Sequence, residues 1–420
     1  MKKVIISLLV AGAVAAANAQ DKALLETLVK KGMLTQQEAA QIAKDSVAVT
    51  PATKSTKSIK IFGGAQGWYS WGKNSVKSGT GIPGVTPYSQ QNGFTLRYVK
   101  LGIEADVGGG WSAEVVTDFG MEGASKNYLD KVVASKKIDL DYINGTLQLG
   151  LRKVNMGYEQ NMDDFGQLAV ERSVATYFFT RYDGKNFGSR TVGVFWDGNI
   201  TQVDGLYYGA AVTSGVSEGG VDNYITEAQD SSALSFWANM GYKNVADVKG
   251  ETLSYDIGVN FGYAPQGMND DIRYNKTKKG SVWGINPYAT LNWRGLTLIG
   301  EFFLQQAEDY TPRRNGVGRT PMGANFTAAY KMDIGEWGAI EPVFRGSYVS
   351  TNGMGLYSAY SGDNLENINQ AMTFYGGVNW YATTAVKTSL GYEFAYYDQG
   401  DASVERVYGN TVWAQVQVLF

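Results

Sequence analysis

Residues 411–420 read TVWAQVQVLF. On an extended strand Val412, Ala414, Val416, Val418 and Phe420 point one way, and Thr411, Trp413, Gln415, Gln417 and Leu419 point the other. A period of two is the mark of a strand with unlike faces. This strand is the last of the sequence. The question it raises is which medium its apolar face meets.

The composition narrows the answer. Among 420 residues there are 52 Gly, 27 Tyr, 17 Phe and 10 Trp but only 8 Pro, which suits many long strands. After residue 20 no stretch is apolar enough to cross a bilayer as a helix. Cysteine and histidine are both absent. That removes disulfides, thiol chemistry, the usual general base, the commonest metal ligand and any His-containing triad. No cofactor is expected, and the chain is not expected to be an enzyme. Charge is balanced, with 37 Lys and Arg against 40 Asp and Glu, and points to no nucleic acid.

The first residues carry an address. A basic MKK, an apolar VIISLLVAGAVAAA and the small-x-small Ala17-Asn18-Ala19 predict a signal peptide over 1–19, with export to follow. Residues 20–45 differ from everything after them. DKALLETLVKK is amphipathic, Gly32 is a helix stop, and Thr35 with Glu38 forms a capping box for a second short helix. The Ser/Thr/Lys-rich linker 46–58 follows. The expectation is a periplasmic helical extension on a tether, which either stays a partly ordered extension or touches the cell wall or its own copies through residues 21–45.

From Ile59 onward the chain reads as sixteen strands with alternately long and short connections. FTLRYVKLGIEADV, a tight turn at Gly108-Gly109-Gly110 and WSAEVVTDF form one hairpin. KKIDLDYI and TLQLGLRKV are expected to meet at the two-residue turn Asn144-Gly145. Arg294-Gly295 is expected to join VWGINPYATLNW to LTLIGEFFLQQAE. The longest connection runs roughly from Gly157 to Ser189. In VKTSLGYEFAYY, Leu390, Tyr392 and Phe394 share one face while Lys387, Ser389 and Glu393 share the other. Charge on an inward face implies water inside rather than a packed core, and aromatic strand ends such as Trp68, Trp111, Trp196, Trp293 and Trp380 suit membrane interfaces. The fold class is therefore all-β: a closed transmembrane antiparallel barrel over 59–420, its apolar face meeting lipid, because unpaired backbone groups cannot remain in hydrocarbon. Phe420 is the ending expected of outer-membrane barrels.

Several stretches in shared order resemble the phosphate-selective porin O and P family. These are FTLRYVKLGIEADVGGGWSAEVVTDF, then LDYINGTLQLGLRKVNMGYE followed by AVERSVATYFF with Glu171-Arg172-Ser173, and finally NWYATTAVKTSLGYEFAYYD. The resemblance implies a sixteen-stranded homotrimeric outer-membrane porin of a Gram-negative cell whose third loop folds into the channel. The chain departs from the pattern where Tyr98 lies between Arg97 and Lys100, and acidic residues outnumber basic ones from Ser58 onward.

A pore acts through lumen width and constriction charge. The candidate anion-binding residues are Lys100 and Arg152 on the wall and Arg172 and Arg181 on the third loop. Each has two readings. It either meets a passing anion or fixes the loop to the wall by pairing with Glu159, Asp163, Asp164 or Glu171. Lys276, Lys278, Lys279, Arg313 and Arg314 lie in the outer loops. They are expected either to gather anions at the mouth or to be solvated or bound to lipopolysaccharide phosphates. The leading function is passive diffusion of small hydrophilic solutes or inorganic anions. The alternatives are a sugar or general channel using lumen aromatics such as Tyr98 and Tyr375, and a structural tether between outer membrane and cell wall.

Overall fold

The computed structural model describes residues 57–75, 90–120, 129–180, 188, 190–214, 234–269, 279–309, 317–352, 356–357, 364–365, 369–398 and 407–420. The expected signal peptide and helical segment, and most of the linker, lie outside the described residues.

Sixteen antiparallel strands form one sheet that closes on itself. They are β1 Ser58–Ser75, β2 Gln90–Gly108, β3 Trp111–Asp118, β4 Leu129–Asp139, β5 Ile143–Lys153, β6 Arg190–Ile200, β7 Leu206–Thr213 and β8 Ser235–Val248. β9 is Glu251–Asn269, β10 Lys279–Trp293, β11 Leu296–Asp309, β12 Met322–Tyr330, β13 Ala339–Ser350, β14 Gln370–Tyr381, β15 Val386–Asp398 and β16 Val407–Leu419. Two short pieces, Val317–Arg319 and Met332–Asp333, extend the ladder beside β11 and β13. Each strand pairs with its sequence neighbour, and β1 pairs with β16 from Gly64↔Leu419 to Ser75↔Tyr408. Closure satisfies every edge, the condition for a sheet in lipid. Among the described residues no helix is long and apolar enough to cross a membrane.

The last strand answers the opening question. Val416 is 53% exposed on the outside, whereas Trp413 and Gln415 are 1% and 2% exposed on the inside. β15 does the same, with Leu390 at 61% and Glu393 at 4%. This is an inside-out pattern, in which the outward face is apolar and the inward face carries the polar groups. Trp111 and Trp380 stand on the outer face as expected, but Trp68 points inward and is buried beneath the Arg97 guanidinium.

Long and short connections segregate to opposite rims. Gly108, Gly109 and Gly110 all take positive φ in the β2–β3 turn, and Arg294-Gly295 (φ 49° and 82°) joins β10 to β11, both as the sequence predicts. The fourth hairpin differs. β4 begins at Leu129, and the β4–β5 turn is built by residues 140–142, closed by Leu140 N–H donating to the Ile143 carbonyl. Asn144 and Gly145 are strand residues opposite Asp139 and Ile138. Gly145 is needed for close approach rather than for a turn, because a Cβ there would come within 2.5 Å of the Asp197 carbonyl oxygen.

One irregularity shapes the interior. Gln66 pairs with Tyr98 and Gly67 with Leu96, so Arg97 is an extra residue in β2. This bulge turns two consecutive side chains, Arg97 and Tyr98, inward, where strict alternation would send one to lipid.

Candidate pore constriction

From β5 the chain enters the barrel over residues 154–180. The loop contains two short helices, α1 Tyr158–Asn161 and α2 Val174–Thr180. Gly157, at φ 85°, makes the bend into α1, and a Cβ there would press on Gln160 and Thr180 at 3.1 Å.

The loop is fastened to the wall in three ways. The first is apolar. Ala175, Phe178 and Phe179 of α2 pack with Val282, Phe303, Val349 and Ala371 of the wall, and the Phe179 and Phe303 rings stack at 4.8 Å. Part of the inward face is thus dry and packed, where the sequence suggested water throughout.

The second fastening is a carboxylate cradle. The N–H groups of Tyr158 and Glu159 donate to Glu301 of β11 at 2.7 and 3.2 Å, and Asn286 and Asn325 donate to the same carboxylate.

The third is ionic. Arg345 of β13 bonds Glu159 at 3.0 Å and Glu393 of β15 at 2.9 Å. Arg97 donates two hydrogen bonds to Glu171. Burial pushes the Glu159 carboxyl up, but Arg345 and hydrogen bonds from Ser173 and Thr176 outweigh it, and its pKa falls below the ordinary value. Lys387 of β15 donates to the carbonyls of Phe165 and Gln167, and Gln417 of β16 also donates to that of Phe165.

These contacts tie the loop to β2 and to β10–β16. Among the described residues, cavities lie beside the loop toward β2–β10. One, of about 610 Å³, lies between the loop and β2–β6 and is lined by Lys100, Asp130, Lys153, Asp164 and Arg190 among others. Another, of about 920 Å³, lies between α1 and β5–β10.

The first cavity holds the ionic centre. Asp164 of the loop pairs with Lys100 of β2 and Arg172 of the loop, lies 3.3 Å from Lys153 of β5 and 3.9 Å from Arg190 of β6. Asp130 of β4 pairs with Lys100 at 3.0 Å and with Arg190. Burial raises the Asp164 carboxyl, yet Lys153, Lys100, Arg172 and Arg190 together hold it well below the usual carboxylate range. At the edge of this cavity Arg152 pairs with Asp197, Lys131 pairs with Glu114 at 2.7 Å, and Asp163 is exposed.

Of the residues the sequence singled out, Lys100 and Arg172 meet on Asp164, and Arg152 lines the same cavity through a separate pair. Lys100 therefore pairs from wall to loop, whereas the Arg172–Asp164 pair lies within the loop and Arg172 reaches the wall by donating to the Tyr98 hydroxyl. Tyr98 and Tyr375 are buried under the loop, and Tyr98 accepts a hydrogen bond from Arg172 at 3.0 Å, so neither offers an open aromatic face. Arg181, Lys276, Lys278, Arg313 and Arg314 lie outside the described residues, and Lys279 is the first residue of β10. Lys153, Arg190, Asp130, Arg345, Glu301 and Glu393 were not singled out. Alternation marks Arg345 and Glu393 as inward, but it does not say which partners they meet.

No family model and no curated protein matches the chain. Solved structures do match its fold. OprB of Pseudomonas putida, solved at high pH, is 10% identical over 86% of this chain and 94% of that one, with a TM-score of 0.54. OmpF of Salmonella typhi, in complex with daunomycin, is 13% identical over 86% and 97%, TM-score 0.54. The outer-membrane channel DcaP of Acinetobacter baumannii is 10% identical over 88% and 99%, TM-score 0.52. At these identities the likeness is one of fold: a closed barrel of the kind used by outer-membrane channels.

Proposed function

We propose that the protein is an outer-membrane porin that passes small hydrophilic solutes by diffusion and prefers anions. The porin reading is supported by the apolar outer face, the closed barrel and the loop folded inward to narrow the lumen. The likeness of fold to OprB, OmpF and DcaP agrees with it. Assembly as a trimer and a preference for phosphate follow from the resemblance of the quoted stretches to the phosphate-selective porins.

Anion preference rests on one observation. Lys100, Lys153, Arg172 and Arg190 converge on the carboxylates of Asp130 and Asp164 beside an open cavity. Local charge steers an ion more than total charge does, so a chain that is acidic overall can still attract anions here. Guanidinium and ammonium groups at the cavity wall suit oxyanions, the first as a paired donor and the second as a point charge. Since Asp164 already occupies these cations, a passing anion competes with a tethered one, which favours fast release over tight capture.

Single-channel recording in a planar bilayer under a KCl gradient tests this. The expected result is a discrete conductance with an anion-selective reversal potential, and chloride current reduced when phosphate is added. A cation-selective pore would overturn the anion preference, and absence of channels would overturn the porin reading.

A further inference from the structure

We propose that the second cavity is a binding subsite for neutral polyhydroxylated solutes of saccharide type. It lies in the channel described above and rests on that reading for solute access, but its chemistry differs from that of the cationic cavity on the other side of α1.

The volume, about 920 Å³, is within the roughly 300–1,000 Å³ typical of pockets for small organic ligands. Its walls include Tyr158 of the loop, Asn199 of β6, Lys243 of β8, Asp256 of β9, and Thr290 and Asn292 of β10. Asn199, Lys243 and Asn292 are exposed to it. A sugar hydroxyl both donates and accepts, so a surface that reads several hydroxyls needs both kinds of group side by side. Asparagine amides supply both, Asp256 only accepts and Lys243 only donates. Asp204 and Asp256 against Lys243 leave the lining close to neutral and slightly acidic, which gives a simple anion little reason to stay.

The second requirement is an aromatic face. The Tyr158 ring lies 4.9 Å from that of Tyr288 at an interplanar angle of 35°. Tyr288 in turn touches the hydroxyl of Tyr207, which donates to Asp256 at 2.6 Å. This row runs from the inward loop to the wall and holds Tyr158 in place at the cavity edge. A pyranose presents polar edges and an apolar C–H face. The face fits against a tyrosine ring while the edges meet the amides. Half-buried Tyr158 is thus the loop's aromatic side chain at this cavity, away from the covered Tyr98 and Tyr375.

The test is blockade of single-channel KCl current by maltose added on either side, with a polyethylene glycol of similar size as the control for bulk and viscosity. The expected result is saturable block by maltose beyond that of the polymer, with the half-blocking concentration raised about tenfold in Tyr158→Ala. Asn292→Ala, at the exposed wall and away from the loop anchors, should weaken block in the same direction and guards against a misfolded loop. Maltose block no greater than that of the polymer, or block unchanged in both variants, would overturn the subsite while leaving the channel intact. If no channels form, the channel reading falls, and calorimetric titration of maltose into the detergent-solubilised protein decides the subsite. Saturable heat weakened by Asn292→Ala supports it, and no heat overturns it.

Discussion

Arg345 of β13 and Glu159 of the inward loop are joined by a 3.0 Å ion pair, and the same guanidinium holds Glu393 of β15. One wall residue therefore fixes the loop and ties two strands together. All three side chains are buried. Removing one member of a buried ionic group leaves uncompensated charge and typically costs about 3–5 kcal/mol. Arg345→Met should lower the thermal unfolding midpoint of the purified barrel and add current noise as the loop loses its anchor, and Arg345→Lys should fall between. An unchanged midpoint would show that the apolar packing of Phe179 on Phe303 holds the loop by itself.

Asp164 is the tethered counter-ion of the cationic centre. Asp164→Asn keeps the shape but removes the charge shared by Lys100, Lys153, Arg172 and Arg190. The reversal potential under a KCl gradient should move toward that of chloride. One unit charge at this range justifies a change in permeability ratio on the order of tenfold. Arg190→Met should move it the opposite way. An unchanged reversal potential in both variants would mean that permeating ions do not sense this centre.

The loop anchors also predict a pH response. Asp164 and Glu159 both titrate below their ordinary values in the folded chain. For a carboxylate depressed on folding, the stabilisation is fully present above the unfolded pKa, about 4, and is lost as pH falls through the folded value. The anchoring that Glu159 and Asp164 themselves provide should therefore hold from pH 8 to pH 5 and weaken only below about pH 4, read as added current noise. A noise transition between pH 7 and 5 that Asp164→Asn or Glu159→Gln removes would place these carboxylates in a different protonation state from the one that the geometry supports.

The strands were legible where the two faces differ in chemistry. β15 and β16 alternate so cleanly that lipid and lumen sides can be assigned from Leu390, Glu393, Gln415 and Val416 alone. β4 was misplaced because LDKVVASKKID has basic residues on both faces and the following Asn-Gly resembles a two-residue turn, although the chain reverses just before it. The inward position of Arg97 was hidden for another reason: a bulge breaks the period on which alternation depends. The site was legible only as a set of charges. Lys100, Lys153, Arg172 and Arg190 come from three strands and a loop, and nothing local marks Asp164 rather than Asp163 as the residue they share. Partner choice between loop and wall is decided by long-range packing. Arg345 and Glu159 are 186 residues apart.

The assignment of faces makes a last prediction that separates lipid from lumen without reference to transport. Leu390 lies on the outer face opposite Ala414 and is 61% exposed, while Asn199 is exposed on the inner face. A lysine ammonium in hydrocarbon costs about 2–4 kcal/mol near the bilayer midplane and about 0–1 near the interfaces. In a water-filled lumen it costs little. Leu390→Lys should slow folding into lipid vesicles and lower barrel stability by an amount in that range, as read by urea titration of tryptophan fluorescence. Asn199→Lys should leave the titration midpoint close to that of the parent protein. The opposite ranking would require Leu390 to face water, and the inside-out assignment of β15 and β16 would then be wrong.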